Sequence, residues 1–426
     1  MNKFSIKRTI LYCFGGIFIV ACSETGEENI GELAPKNTQQ VETLHHVNME
    51  KAKRNVLNFV NLVNKGTRAS AKQWAISNIH PIVSPYTRNT TNEQEDTLLY
   101  IVNMADSAGF AIATADDRLP PILALIDEGN YTFNLNDTAT SGFHLFMQAA
   151  LNYCAQQKKM PQTRKTAPSY REITPDDPEY PSSPRNFEVM KPLLNCTWGQ
   201  RDPYNNECFG NLTGCVVTAS AQIMSFLEYP KQMAGFLSEN DYRVTKLNWK
   251  QINEEAKHYS EPKSSETIGQ IAALMRHLGI AFKAEYKQNT TSVDTEDAVD
   301  IMRKEFGCDV TRLKDYNCRD IINDLKCRNK IVIMSGKSRY YHILFFVRKY
   351  TGGHAWVVDG YIDYVTGWRS EERLYLHCNW GWNGNYNGYF LDNVFNTDTP
   401  APYNDNAEST RTNYRYLLKY ATFTKH

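Results

Sequence analysis

Residues 213–224 read Thr213-Gly214-Cys215-Val216-Val217-Thr218-Ala219-Ser220-Ala221-Gln222-Ile223-Met224. Small or apolar residues recur at Val216, Ala219, Ile223 and Leu227, the spacing of one helix face. Val217, Ala221 and Met224 add a second stripe beside it, so the spacing predicts a helix wrapped by protein on most sides. Thr213 and Gly214 suit a helix entry and put Cys215 in the first turn. There the unpaired backbone N–H groups and the positive end of the helix dipole favour a thiolate. A small buried core cysteine fits the same stretch equally well. The choice turns on whether the rest of the chain supplies a base, an oxyanion donor and a cleft.

The chain of 426 residues is long enough for about two or three domains. It is 42% apolar and 12% aromatic, the composition of a globular protein. Lys+Arg and Asp+Glu are equal at 47 each, so no global basic field points to nucleic acid. Lys3, Lys7 and Arg8 precede an apolar run over 10–20, the layout of an export signal. Ile19-Val20-Ala21-Cys22 then resembles a bacterial lipobox, which implies lipidation of Cys22 and a membrane anchor. The plainer alternative is an ordinary signal peptide with an incidental Cys22. Eight of the ten cysteines lie beyond this segment, in an exported setting that permits disulfides. No CxxC pair is present, so a zinc ribbon is not expected, and no metal or cofactor is expected.

Residues 23–46 read as a polar tether. Helical spacing covers 46–65; strands follow at 98–103, 110–114 and 122–126, then a helix over 142–157. This makes a small α+β domain with no catalytic constellation. Residues 159–190 are rich in Pro, Lys and Arg and read as an extended, easily cut linker. Beyond it, helices are expected at 268–278, 296–306 and 318–326. Strands are expected at 331–334, 343–348, 355–363, 373–379, 388–391 and 414–423, an α+β layout.

Three further segments bear on chemistry. Gly352-Gly353-His354-Ala355-Trp356 puts a histidine behind an open glycine pair at the start of an apolar strand. A structural histidine would fit there too; His377 is a rival base, and His277 is expected on the exposed side of its helix. In His377-Cys378-Asn379-Trp380-Gly381-Trp382, Asn379 could accept the imidazole N–H of His354 and Trp380 could shield that bond. In Trp198-Gly199-Gln200-Arg201-Asp202-Pro203-Tyr204-Asn205, the Gln200 amide could join the Cys215 N–H as an oxyanion hole.

In this order the four motifs resemble the streptopain/interpain family of papain-type cysteine endopeptidases, over most of 191–395. The resemblance implies a papain-like catalytic domain, with a helical half and an antiparallel β half, over 191–426. Cys215 then matches the nucleophile, His354 the base, Gln200 the oxyanion donor, and Asn379 with Trp380 the pair orienting the histidine. Gly353 matches a substrate main-chain contact. Ser292 falls where the family has a Ser-Gly-rich substrate loop, here without glycines. The segment 337–351 is longer and more aromatic than usual. Residues 23–158 resemble the family's inhibitory propeptide, after a lipoprotein signal at 1–22 and before the 159–190 linker. The resemblance implies a secreted zymogen acting on protein or peptide substrates, restrained by its own propeptide and needing no cofactor. Two alternatives stay open: a cell-wall peptide amidase or isopeptidase on the same fold, and a catalytically dead surface adhesin or binding module.

Overall fold

In the computed structural model the described residues are 45–66, 74–83, 97–134, 142–159, 185–257, 263–287, 290–344, 347–366, 371–392 and 416–426. The lipobox and Cys22, residues 23–44 of the tether, His258 and residues 160–184 of the expected linker lie outside them. Seven helices are described, α1 (Met49–Gly66), α2 (Gly142–Lys159), α3 (Cys215–Leu227), α4 (Trp249–Ala256), α5 (Ser265–Ala281), α6 (Thr295–Lys304) and α7 (Cys318–Leu325). Strands β1 (Ile76–Val83), β2 (Thr97–Met104), β3 (Phe110–Thr114), β4 (Ile122–Ile126) and β5 (Arg185–Met190) precede α3. After it come the hairpins β6 (Gln232–Ser238) with β7 (Asp241–Lys246) and β8 (Glu285–Lys287) with β9 (Thr290–Ser292). The short β10 (Lys314–Asp315) leads to the long β11 (Lys330–Leu344) and β12 (Val347–Val365), then β13 (Glu372–Asn379), β14 (Gly388–Leu391) and β15 (Tyr416–Thr424).

One antiparallel sheet runs β1-β2-β3-β4-β14-β13-β12-β11-β15-β10, with β5 paired to β12 beside it. The mixed α+β class expected from sequence holds, with the sheet larger than either half alone. Its two ends come from distant parts of the chain and meet where β14 pairs with β4, Gly388 opposite Ile126 and Phe390 opposite Ala124. The period-two alternation of β11 and β12 explains why both faces are covered. Ile331, Ile333, Ala355 and Val357 join a core with α3, α4, α5 and α6. Val332, Met334, Trp356 and Val358 join a second core with α7 and the N-terminal domain. Helix α1 buries Ala52, Val56, Phe59, Val60 and Val63. The Phe59 ring lies 5.2 Å from that of Tyr375 in β13, so this amphipathic helix spans both ends of the sheet.

Three readings change. The end of the expected linker, residues 185–190, is strand β5, held against β12 at Met190–Tyr361. The strand carrying His354 starts earlier, at Val347, because β11 and β12 form one long hairpin. His277 is buried, its Nε2 3.2 Å from the Thr245 hydroxyl, because the β6–β7 hairpin covers that side of α5.

Gly388 marks how closely β14 and β4 approach: a Cβ there would collide with the Leu125 carbonyl. Overpacking of this kind costs on the order of 2 kcal/mol. Gly388→Ala is therefore expected to destabilise the intact chain by about that amount, read as a lower denaturant midpoint, and an unchanged midpoint would refute the close pairing.

Candidate active site

Helix α3 begins at Cys215. Its entry is fixed by Thr213, fully buried, whose N–H donates to the Gln200 carbonyl at 3.1 Å and whose hydroxyl pairs with that of Thr218 at 2.7 Å. Gly214 has φ +94°, a conformation L side chains avoid, and a Cβ there would stand 3.0 Å from Thr291 Cγ2. The glycine is thus required twice, by backbone and by space.

Cys215 is partly exposed, and like the other seven cysteines of the described residues it forms no disulfide. Burial raises its thiol pKa above the ordinary value. The backbone N–H groups of Ala355, Val216 and Cys215 itself, and the charge of Lys337, pull it back in part. The helix-start dipoles therefore act as the sequence suggests, but desolvation outweighs them. The Ala355 amide brings β12 at His354–Ala355 against the sulfur.

His354 is buried among indoles, its ring near-parallel to those of Trp356, Trp380 and Trp382 at 6.1, 6.3 and 6.2 Å. Nε2 lies 3.0 Å from the Trp380 carbonyl. A carbonyl only accepts, so Nε2 carries the proton and Nδ1 the lone pair. Burial lowers the imidazole to about 4, against a small opposing pull from that carbonyl, so the ring is neutral at pH 7. The sequence reading expected Cys215 within reach of His354; among the described residues no hydrogen bond between the two is found, and Nε2 of the ring meets the Trp380 carbonyl.

Asn379 is also placed differently from the expectation that it orients the imidazole. Its amide donates to the Cys196 carbonyl at 2.9 Å, and its oxygen accepts from Gln222 Nε2 and the Gly381 N–H, each at 3.2 Å. The histidine's polar partner is the next residue's backbone carbonyl. Trp380 lies 6.3 Å from the ring, anchored by its N–H to Asn387 Oδ1 and its indole N–H to the Tyr386 carbonyl, both 3.1 Å; the Asn379–His354 bond it was expected to shield is not found among the described residues. Gln200 is buried beside the cysteine's helix entry, and its side-chain amide has no hydrogen-bond partner among the described residues. Gly353 is exposed, and the space its Cβ would take is occupied by the Lys337 side chain. Ser292 is exposed and lines a cavity of about 650 Å³ with α6, while Thr291, next to it in β9, faces Gly214.

The rival base is disposed of by its neighbours. His377 Nδ1 lies 2.6 Å from Asp359, and Nε2 lies 2.9 Å from Asp127, which follows β4. Burial alone would hold this ring neutral, but the two carboxylates outweigh it and push it up to about 10. A cation at neutral pH cannot serve as a base. Sequence reasoning missed this triad, and also Gln222, Thr291 and Trp382. Gln222, a large amide in an apolar helical stripe, was the one with a legible signal.

Residues 198–390 match the model of the Peptidase C10 family, and residues 44–154 that of the Spi protease inhibitor. Streptopain of Streptococcus pyogenes is 24% identical over 343 residues, 72% of this chain and 77% of that protein. The thiol protease/hemagglutinin PrtT of Porphyromonas gingivalis is 24% identical over 336 residues, 71% of this chain but 35% of that protein. Among solved structures, a fragment of prointerpain A from Prevotella intermedia superposes with a TM-score of 0.50 at 19% identity, covering 82% of this chain and 98% of that one.

The folded pKa of His377 lies above its unfolded value of 6.5, so its contribution is complete below pH 6.5 and is lost as pH rises through about 10. The intact chain is expected to lose stability across that window. Asp127→Asn should flatten part of the loss and weaken the β4–β14 junction by on the order of 1 kcal/mol, discounted for the partial exposure of Asp127. Hydrogen exchange at β4 and β14 amides measures this; identical profiles for the two proteins would contradict it.

Proposed function

We propose that this chain, a streptopain/interpain-like cysteine peptidase preceded by its own propeptide domain, is made as an exported zymogen with Cys215 as nucleophile and His354 as general base. The boundaries are those of the sequence: a lipoprotein signal at 1–22, the inhibitory propeptide at 23–158, a linker cut on activation at 159–190 and the catalytic domain at 191–426. A lipid on Cys22 would hold the zymogen at the cell envelope, and cutting the linker would separate the peptidase from that anchor.

One observation carries the reading. The first turn of α3 gathers an unpaired thiol, the Ala355 amide of the strand bearing His354, and a Gln200 loop tied to Thr213 at 3.1 Å. In the active arrangement His354 Nδ1 takes the Cys215 thiol proton as the sulfur attacks the scissile carbonyl carbon, forming a C–S bond while the C=O π pair moves onto oxygen. The Gln200 amide and the Cys215 N–H take the oxyanion, and the proton held by His354 passes to the departing amine as the C–N bond breaks. His354 then removes a proton from water, which releases the acyl group and restores the thiol. Asn379 supports the carbonyl of Trp380 that aims the ring; Gly353 and Ser292 serve the substrate chain. No cofactor enters any step.

Latency follows from the same parts. The propeptide grips Tyr386, whose ring stacks on Phe143 at 4.3 Å and meets Tyr131 edge-on at 5.8 Å. Tyr386 in turn holds the Trp380 indole. Loss of that grip lets the segment 380–387 re-aim His354 toward Cys215.

Residues 23–426 with and without Cys215→Ala test the reading through linker self-cleavage, casein hydrolysis and labelling by a thiol alkylator. Wild type is expected to lead in all three by at least about a hundredfold. His354→Ala should abolish turnover while the fold persists. Equal behaviour of wild type and Cys215→Ala would exclude the peptidase assignment.

A further inference from the structure

The β11–β12 pairing brings one cation beside Gly353 and His354 with no counter-ion among the described residues. Lys337 lies opposite Gly353, one step from Gly336 opposite His354. Its ammonium nitrogen stands 2.8 Å from the point a Gly353 Cβ would occupy, with its last methylenes at 3.4 and 3.1 Å. With no side chain at 353, the lysine head lies over the open backbone just before the histidine, and its charge reaches Cys215. Among the described residues no carboxylate pairs with it. Neighbouring cations do find one: Lys330 of β11 meets Asp324 at 2.8 Å, and Arg319 of α7 meets Asp363 of β12 at 2.5 Å. Lys337 is only partly buried.

A fixed, unpaired ammonium on the wall of a peptide cleft is built to receive an anion, because a charge-assisted hydrogen bond there meets less competition from water. We propose that Lys337 is a specificity-determining residue, taking the side-chain carboxylate of an Asp or Glu next to the scissile bond. This deepens the peptidase reading and rests on it. Gly353 belongs to the device, since any larger residue there would push the ammonium aside.

The test uses the full chain after self-processing and peptides identical except for Glu, Ala or Lys on either side of the cleaved bond. Wild type is expected to favour the Glu peptide over the Ala peptide in kcat/KM by about tenfold, and less at high salt. Lys337→Met should bring that ratio close to one, Lys337→Arg should keep it, and Lys337→Glu should turn the preference toward the Lys peptide. Two outcomes overturn the assignment alone: no Glu preference in wild type, or Lys337→Met slowing all three peptides by one common factor. A wild-type protein that cleaves none of them removes the peptidase reading and this assignment with it.

Discussion

The Trp380 carbonyl takes the Nε2 proton of His354 at 3.0 Å, and the rest of the molecule is arranged around how that carbonyl is held. On one side Asn379 is clamped to the Cys196 carbonyl, to Gln222 of α3 and to the Gly381 amide. Gln222 also donates to the Trp198 carbonyl at 3.0 Å, so a single buried side chain ties the helix that starts at Cys215 to the loop before Gln200 and to the end of the strand carrying Asn379. Buried amides are expensive to leave unmatched, by about 1–3 kcal/mol each, so this junction resists sliding. On the other side Trp380 is anchored through Asn387 and Tyr386.

The N-terminal domain reaches the same segment by three independent contacts. β4 continues the sheet past β14, Asp127 meets His377, and an aromatic cluster closes on Tyr386. Each is chemically different: backbone pairing, a buried charge and stacked rings. Together they make the conformation of residues 380–387 depend on the domain that precedes the linker. Under the latency proposed above, inhibition would act through the histidine's support and would need no plug.

The elements with strong periodicity were legible: α1, α3 and α5 through α7, with β3, β4 and β14 matching their expected ranges. The short, polar hairpins β6–β7 and β8–β9 were not, because their stability comes from tertiary packing on α5 and on Gly214 rather than from local pattern. Strand β5 hid inside a proline-rich run whose last six residues pair only because β12 offers them an edge. At the site, residue types were legible and their connections were not. Sequence could place a histidine, an asparagine and a tryptophan together. It could not tell that the asparagine amide would be spent on Cys196 and Gln222, leaving a backbone carbonyl to take the imidazole. Nor could it tell that two carboxylates would turn His377 into a permanent cation at neutral pH.

The claim that the propeptide withholds His354 from Cys215 is tested most directly by the pH profile of Cys215 alkylation, mapped by mass spectrometry before and after the linker is cut. In the intact chain the midpoint should lie above the ordinary thiol range, because burial raises the thiol and no imidazole is bonded to it. After cutting, the midpoint should fall well below that range as the histidine becomes its partner. An equally acidic midpoint in both forms would mean that the pair is already assembled in the intact chain, and the account of latency would be wrong.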